Sequence, residues 1–177
     1  MRPGTFSMSN SEQIEYWNSK VGDTWARMQA RLDRAFTPVT AALLTIAAPQ
    51  PGEDVLDVGC GTGETTLALV GAVGDDGAVM GVDISEALLA RARERADELV
   101  CDVEFHNVDA ATFDTEPGFD LVVSRFGVMF FDDPVAAFAN HRAWQSRVGG
   151  AAPIRCREKK RQTLRYGLSR ARRPEIA

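Results

Sequence analysis

Residues 55–69 read VLDVGCGTGETTLAL, and their reading decides the fold. An apolar strand ends at Val58, a helix is predicted over Thr62 to Val73, and Gly59, Gly61 and Gly63 stand at alternate positions across the junction. One glycine suffices for a turn. Three at alternate positions predict that something approaches the backbone closely. Two phosphate-binding signatures fail on spacing: a P-loop and a dinucleotide fingerprint begun at Gly59 both need glycine where Glu64 stands. Begun at Gly61, the fingerprint ends on Thr66. What remains is DxGxGxG from Asp57. An acid two residues before the first glycine repels a pyrophosphate and suits a ligand bearing positive charge. The free N–H groups of the following helix suit a carboxylate.

Outward from this stretch, short apolar runs alternate with helical patterns. AVMGVD (78–83) reads as a second strand, with Ser85 capping a helix that turns Leu88, Ala92 and Leu99 inward. DVEFHNVDA (102–110) reads as a third strand, and FDLVVSRFGVMFF (119–131) begins as a fourth. DDPVAAFANHRAW (132–144) has an acid-rich start and Pro134 in the first turn of a helix. Such alternation predicts an α/β fold with a doubly wound, mostly parallel sheet. Ahead of it, residues 11–48 are helical in pattern. Ser11 or Asn10 is suited to cap a first helix, Met28, Leu32, Ala35 and Phe36 share a face of a second, and Thr37-Pro38 resets the chain into a third.

Asp83 closes the second strand 20 residues beyond Gly63, where an acid in this kind of sheet accepts ribose hydroxyls. Asp109 closes the third, placed for the exocyclic amine of an adenine. Each acid alone reads as a helix cap. All three with the triple glycine read as a nucleoside site at the carboxyl edge of the sheet. A ligand with an ammonium, a carboxylate and a sulfonium satisfies the whole pattern.

VLDVGCGTGETTLAL, GVDIS, NVDAATF and FDLVVSRFGVMFF together resemble the successive motifs of class I S-adenosylmethionine-dependent methyltransferases. The leading IEYWNSKVGDTWARMQARLDR resembles the lid helices of their small-molecule branch, which includes ubiquinone- and menaquinone-biosynthesis-type enzymes. The resemblance covers roughly Glu12 to His141. It implies a Rossmann-like fold with N-terminal lid helices, S-adenosyl-L-methionine as cofactor and a small-molecule methyl acceptor. Asp57, Gly59 and Gly61 would hold the methionyl end, with Cys60 in the loop through its backbone. Asp83 would bind the ribose, Ile84 would pack on the adenine, and Asp109 and Ala110 would read its edge. Ser124, Arg125 and Phe126 would close the site. Trp17 and Trp25 read equally as lid lining or as packing aromatics. His106 and His141 read as ordinary strand or surface residues, and no residue stands out as a general base. In-line displacement at an activated sulfonium needs positioning and water exclusion more than a base.

The chain of 177 residues suits one domain. Its net charge of −5 hides a split: residues 155–177 hold nine Lys/Arg and two Asp/Glu, so the body stands at −12. An acidic body argues against a nucleic-acid partner. No apolar run spans a bilayer, and MRPGTFSMSN lacks the apolar region of a secretory signal, with Met8 an equally plausible start. Cys60, Cys101 and Cys156 form no CxxC pair and no Cys/His cluster, which predicts reduced thiols, no metal site and a cytoplasmic setting. The expected division is a disordered 1–10, a core at 11–150 including the lid helices, and a basic, disordered tail at 151–177. Here the chain departs from the family. Gly149-Gly150 persists, but the fifth strand shrinks to a possible stub at APIRC, and the later hairpin strands have no counterpart. A natural basic arm and a frame change near residue 141 both explain this, and truncation of the family's end is the expectation. Two functions follow: an active methyltransferase, or a truncated relative that binds cofactor without turnover.

Overall fold

Asp54–Val58 forms β1, the centre of a four-stranded sheet in a computed structural model that describes residues 8–114 and 118–144. β2 (Ala78–Asp83) lies on one side of it and β4 (Leu121–Val123) on the other, with β3 (Glu104–Asn107) beyond β2. Every pairing is parallel, and the register sets Asp57 beside Gly81 and Val123. The order β3-β2-β1-β4 reverses direction at β1, so the crevice of a doubly wound sheet opens at the end of β1. The fold class expected from the sequence is therefore present. The expected fifth strand and the basic tail lie outside the described residues.

Strand residues alternate between two apolar clusters. Val55, Val79, Leu121 and Val123 pack with Leu69 and Val73 of α4 (Glu64–Val73) and Ala47 of α3 (Gln29–Ala47). Leu56, Val58 and Val82 pack on the opposite face with Ala110 and Phe119. In α5 (Glu86–Glu98), Leu88 and Ala92 are buried as the pattern predicts, whereas Leu99 lies past the helix end and is exposed. α6 (Pro134–Trp144) begins with Asp133 accepting from the Ala136 N–H at 3.0 Å.

The N-terminal helices differ from expectation in their boundaries. α1 (Asn10–Trp17) is capped by Ser9, not Ser11 or Asn10. Ser9 and Glu12 form a capping box: the Glu12 N–H donates to Ser9 Oγ at 3.4 Å and the Ser9 N–H to Glu12 Oε2 at 2.7 Å. α2 (Lys20–Arg27) ends at Met28, and α3 runs unbroken through Pro38. Met28 and Ala35 are exposed, while Leu32 and Phe36 point to a cavity described below. Proline removes the N–H that the Arg34 carbonyl would accept, yet the helix is held on both sides of the gap. Asp33 pairs with Arg95 at 2.9 Å before it, and Thr40 and Ala47 are buried after it. Thr37 Oγ1 also donates back to the Asp33 carbonyl at 2.8 Å.

Pro38→Ala restores the missing donor, so urea unfolding is expected to show about 1–3 kcal/mol of added stability. A loss of stability would instead mean that the fold depends on the proline at this position.

Candidate functional site

The carboxyl ends of β1, β2 and β3 open on a cavity of about 290 Å³. Its floor is the loop Gly59–Thr62, its walls carry Asp83, Ile84, Asp109 and Ala110, and helices α1–α3 roof it with Asn10, Gln13, Trp17, Trp25 and Phe36. The 3-10 turn Gly127–Phe130 and the two residues before it close the remaining side.

The three glycines of the loop do three different things. All have positive φ (69°, 56° and 81°), so each favours glycine on backbone grounds alone. A Cβ on Gly59 would stand 2.6 Å from Gly127 Cα, so that glycine lets two loops touch. A Cβ on Gly63 would stand 3.1 Å from both Ala92 and Phe105, so that one packs the start of α4 against the neighbouring helix and strand. Only around Gly61 is there nothing within 4 Å. The close approach expected from the motif is an approach of protein at two positions and open cavity at the third.

Backbone bonds set the loop. The N–H groups of Gly59 and Cys60 both donate to the Val82 carbonyl, at 2.9 and 3.0 Å. Gly61 N–H donates to Asp83 Oδ2 at 2.8 Å, and Ser85 N–H to Asp83 Oδ1 at 2.9 Å. Burial raises the Asp83 carboxyl above its usual range, while these N–H groups pull it down. Ser85 occupies the predicted cap position, but its hydroxyl donates to the Trp17 carbonyl at 2.7 Å instead of capping α5. Asn18 replaces it, accepting from the Glu86 N–H at 3.1 Å and donating to the Ile84 carbonyl at 2.8 Å.

Asp57 and Ser124, expected among the cofactor-binding residues, are not among those that line the cavity. Asp57 lies 1% exposed beneath the loop, accepting from Thr66 Oγ1 at 2.7 Å. Its Oδ1 is a buried side-chain oxygen with no partner among the described residues. Burial, partly offset by the Thr66 bond and the Arg125 charge, pushes its carboxyl up to about 6. Ser124 Oγ donates to the Val58 carbonyl at 2.8 Å and accepts from the Val128 N–H at 3.2 Å, which stitches β4 to the end of β1. Gly59, Cys60, Gly61, Asp83, Ile84, Asp109 and Ala110 do come together on the cavity. Burial first, then the charges of Asp83 and Asp57, push the Cys60 thiol well up.

The roof is tied down by polar contacts. Arg125 bridges Glu64 and Thr40, lies 5.5 Å over the Phe36 ring, and so links the start of α4 to α3. Arg95 pairs with Asp33 and also donates to the Thr62 carbonyl at 2.6 Å, which joins α3 to the glycine loop. Trp17 meets Trp25 and Phe130 edge-on at 5.5 and 5.6 Å, so both tryptophans pack together and line the cavity. Phe126, at φ 72°, is strained backbone at the rim. His106 lies on β3 away from the cavity, bonded to Glu104 at 2.9 Å, and the side chain of His141 lies outside the described residues. Asn10, Gln13 and Asp33 were not singled out as cavity residues from the sequence. They sit on helices outside the strand motifs, where spacing carries no site signal.

Among the described residues no helix is long and apolar enough to cross a membrane, and no group of three His, Cys, Asp or Glu could hold a metal ion. The sequence profile of the methyltransferase domain matches residues 55–149, more than half of the chain. The chain belongs to this family, the class I S-adenosylmethionine-dependent methyltransferases. The domain is 37% identical over 112 residues to aklanonic acid methyltransferase of a Streptomyces species, covering 60% of the chain and 49% of the relative. It is 32% identical over 126 residues to demethylmenaquinone methyltransferase of Bacillus mycoides, covering 68% and 52%. The chain thus spans about half the length of the curated relatives it matches. Magnesium protoporphyrin IX methyltransferase of Synechocystis shares the fold at a TM-score of 0.62 and 20% identity, covering 88% of this chain and 83% of that one.

Two predictions follow from the geometry of the methyltransferase loop. Gly61→Ala is expected to lose about 1–2 kcal/mol, the left-handed backbone penalty alone. Gly59→Ala is expected to lose that and about 1–3 kcal/mol more through collision with Gly127. Urea unfolding orders the two variants, and equal losses would show that the loops part easily.

The second concerns Asp57, whose carboxyl binds its proton more readily folded than unfolded, since its value rises from 3.8 to about 6. Its contribution is therefore full below pH 3.8 and lost as the pH rises through about 6. Relative to Asp57→Asn, wild type is expected to lose about 2–3 kcal/mol between about pH 4 and about pH 7.5. A flat difference across that window would mean that Asp57 titrates as in the unfolded chain.

Proposed function

We propose that this domain transfers the methyl group of S-adenosylmethionine to a small-molecule acceptor, with the cofactor held along the ends of β1, β2 and β3. The observation that carries the reading is Gly61. Its Cβ position is open, its φ is 56°, and its N–H is held by the Asp83 carboxylate at the cavity wall. A ligand laid on that loop meets backbone first and an acid beside it.

Asp83 would accept the ribose hydroxyls while its bonds to Gly61 and Ser85 hold it still. Ile84 would pack on the base, with Asp109 and Ala110 at its edge. Gly59 and Cys60 would shape the methionyl end through their backbone. Asp57 would act through the floor: its unpartnered oxygen is an acceptor under the loop, and a cation in the cavity favours its ionised form. Ser124 would act by holding the rim. When bound, the cofactor supplies a methyl group already activated on a sulfonium. The protein's part is to orient acceptor and cofactor in line and to exclude water. The roof of Trp17, Trp25, Phe36 and Phe126 is built for that exclusion.

The lid proposed for residues 11–48 takes in α1–α3 and starts with Asn10. Free thiols at Cys60 and Cys101 support a cytoplasmic setting.

Calorimetry with S-adenosylhomocysteine tests the site. Wild type is expected to bind, Asp83→Ala to lose about 1–3 kcal/mol of affinity, and folded Gly61→Val to lose binding altogether. Equal binding by all three overturns the assignment. Release of labelled methyl to a panel of small acceptors separates turnover from binding alone.

A further inference from the structure

At the start of α1, Asn10 lines the cavity beside Asp109, and its Nδ2 donates to Asp109 Oδ2. Thr112 Oγ1 donates to the same oxygen at 3.3 Å, and the Ala111 N–H donates to Oδ1 at 2.9 Å. Two of these three donors come from the turn that follows Asp109 itself. Asn10 is the one that comes from the lid, 99 residues away in the chain. A carboxylate has about four acceptor positions, so a carboxylate held by these three donors has room for one more from the cavity side.

Asn10 is itself presented on a fixed element. The Ser9–Glu12 capping box locks the first turn of α1, and Gln13, one turn on, is buried at the cavity. The far end of α1 is anchored independently: Trp17 accepts from Ser85 Oγ at 2.7 Å, and Asn18 donates to the Ile84 carbonyl at 2.8 Å. The helix thus spans from Asp109 at one end to Ile84 at the other, the two residues assigned above to the base.

We infer that Asn10 is a positioning residue for base selection: by fixing the Asp109 carboxylate it makes the site choose a 6-amino purine over a 6-oxo purine. The inference rests on the proposed role of Asp109 at the base edge. A 6-amino purine offers an N–H donor at position 6. A 6-oxo purine offers an acceptor there, which the carboxylate repels, and carries its donor one ring position away on N1. A carboxylate free to turn can follow that donor. One pinned from the lid cannot.

The test compares S-adenosylhomocysteine with S-inosylhomocysteine, its 6-oxo counterpart, by calorimetry on the full chain. Wild type is expected to prefer the amino form, and Asn10→Ala is expected to reduce that preference about tenfold, one charge-assisted hydrogen bond's worth. Asn10→Ser, a residue well suited to a helix start, serves the same purpose if the alanine variant does not fold. A purely structural loss of the lid weakens both ligands alike and leaves the ratio unchanged, and that result overturns the inference. Asp109→Ala separates the two levels. If it abolishes the preference while the Asn10 variants keep it, the base role of Asp109 stands and the inference falls. If Asp109→Ala also keeps the preference, both fall together.

Discussion

Where β1 ends, its backbone touches the backbone that leaves β4. A Cβ on Gly59 would lie 2.6 Å from Gly127 Cα, and one on Gly127 would lie 2.6 Å from the Val58 carbonyl oxygen. This contact determines how near the glycine loop and the rim can come, and Ser124 reinforces it by bonding Val58 and Val128 together. The positions of Arg125 and Phe126 follow, because both lie on the short path between Ser124 and Gly127. The Arg125 bridge to Glu64 and Thr40 then carries the constraint into α4 and α3. Fold and site share one hinge of close backbone packing.

The N-terminal helices obey different physics from the sheet. The sheet is held by two apolar clusters that leave Val55, Leu56, Leu69 and Val82 with no exposed surface. The buried residues of α1 and α2 are only Gln13 and Gly22. These helices stay in place through hydrogen bonds at Asn10, Trp17 and Asn18 and through edge-on aromatic contacts. Elements with little buried apolar surface open at low free energy compared with a core.

Electrostatically the carboxyl edge of the sheet is a row of acids, Asp57 below the floor and Asp83 and Asp109 on the walls. Arg125 pairs with Glu64 and Arg95 with Asp33. Burial has already pushed Asp57 up to about 6 and Cys60 well above its usual range. A site in this state welcomes positive charge, which matches a sulfonium cofactor.

Much of this was legible in the residues alone. The alternation of strand and helix, the DxGxGxG spacing and the acids at three strand ends are local patterns. A parallel sheet places the ends of neighbouring strands at one edge, so they forecast the architecture and most of the wall. Pattern could not say which glycine leaves open space, because Gly59, Gly61 and Gly63 have the same backbone need and differ only in what lies across from them. It could not say that the Asp57 side chain turns to Thr66 and that of Ser124 to Val58, for the same reason: a strand end locates a residue but not the direction of its side chain's bonds. Pro38 read as a break because the helix around it is held by Arg95 and by the core, partners distant in sequence. Asn10 read as a cap because its partner, Asp109, lies 99 residues away. Period and spacing are properties of the chain. Facing, burial and long-range pairing exist only once the chain has folded.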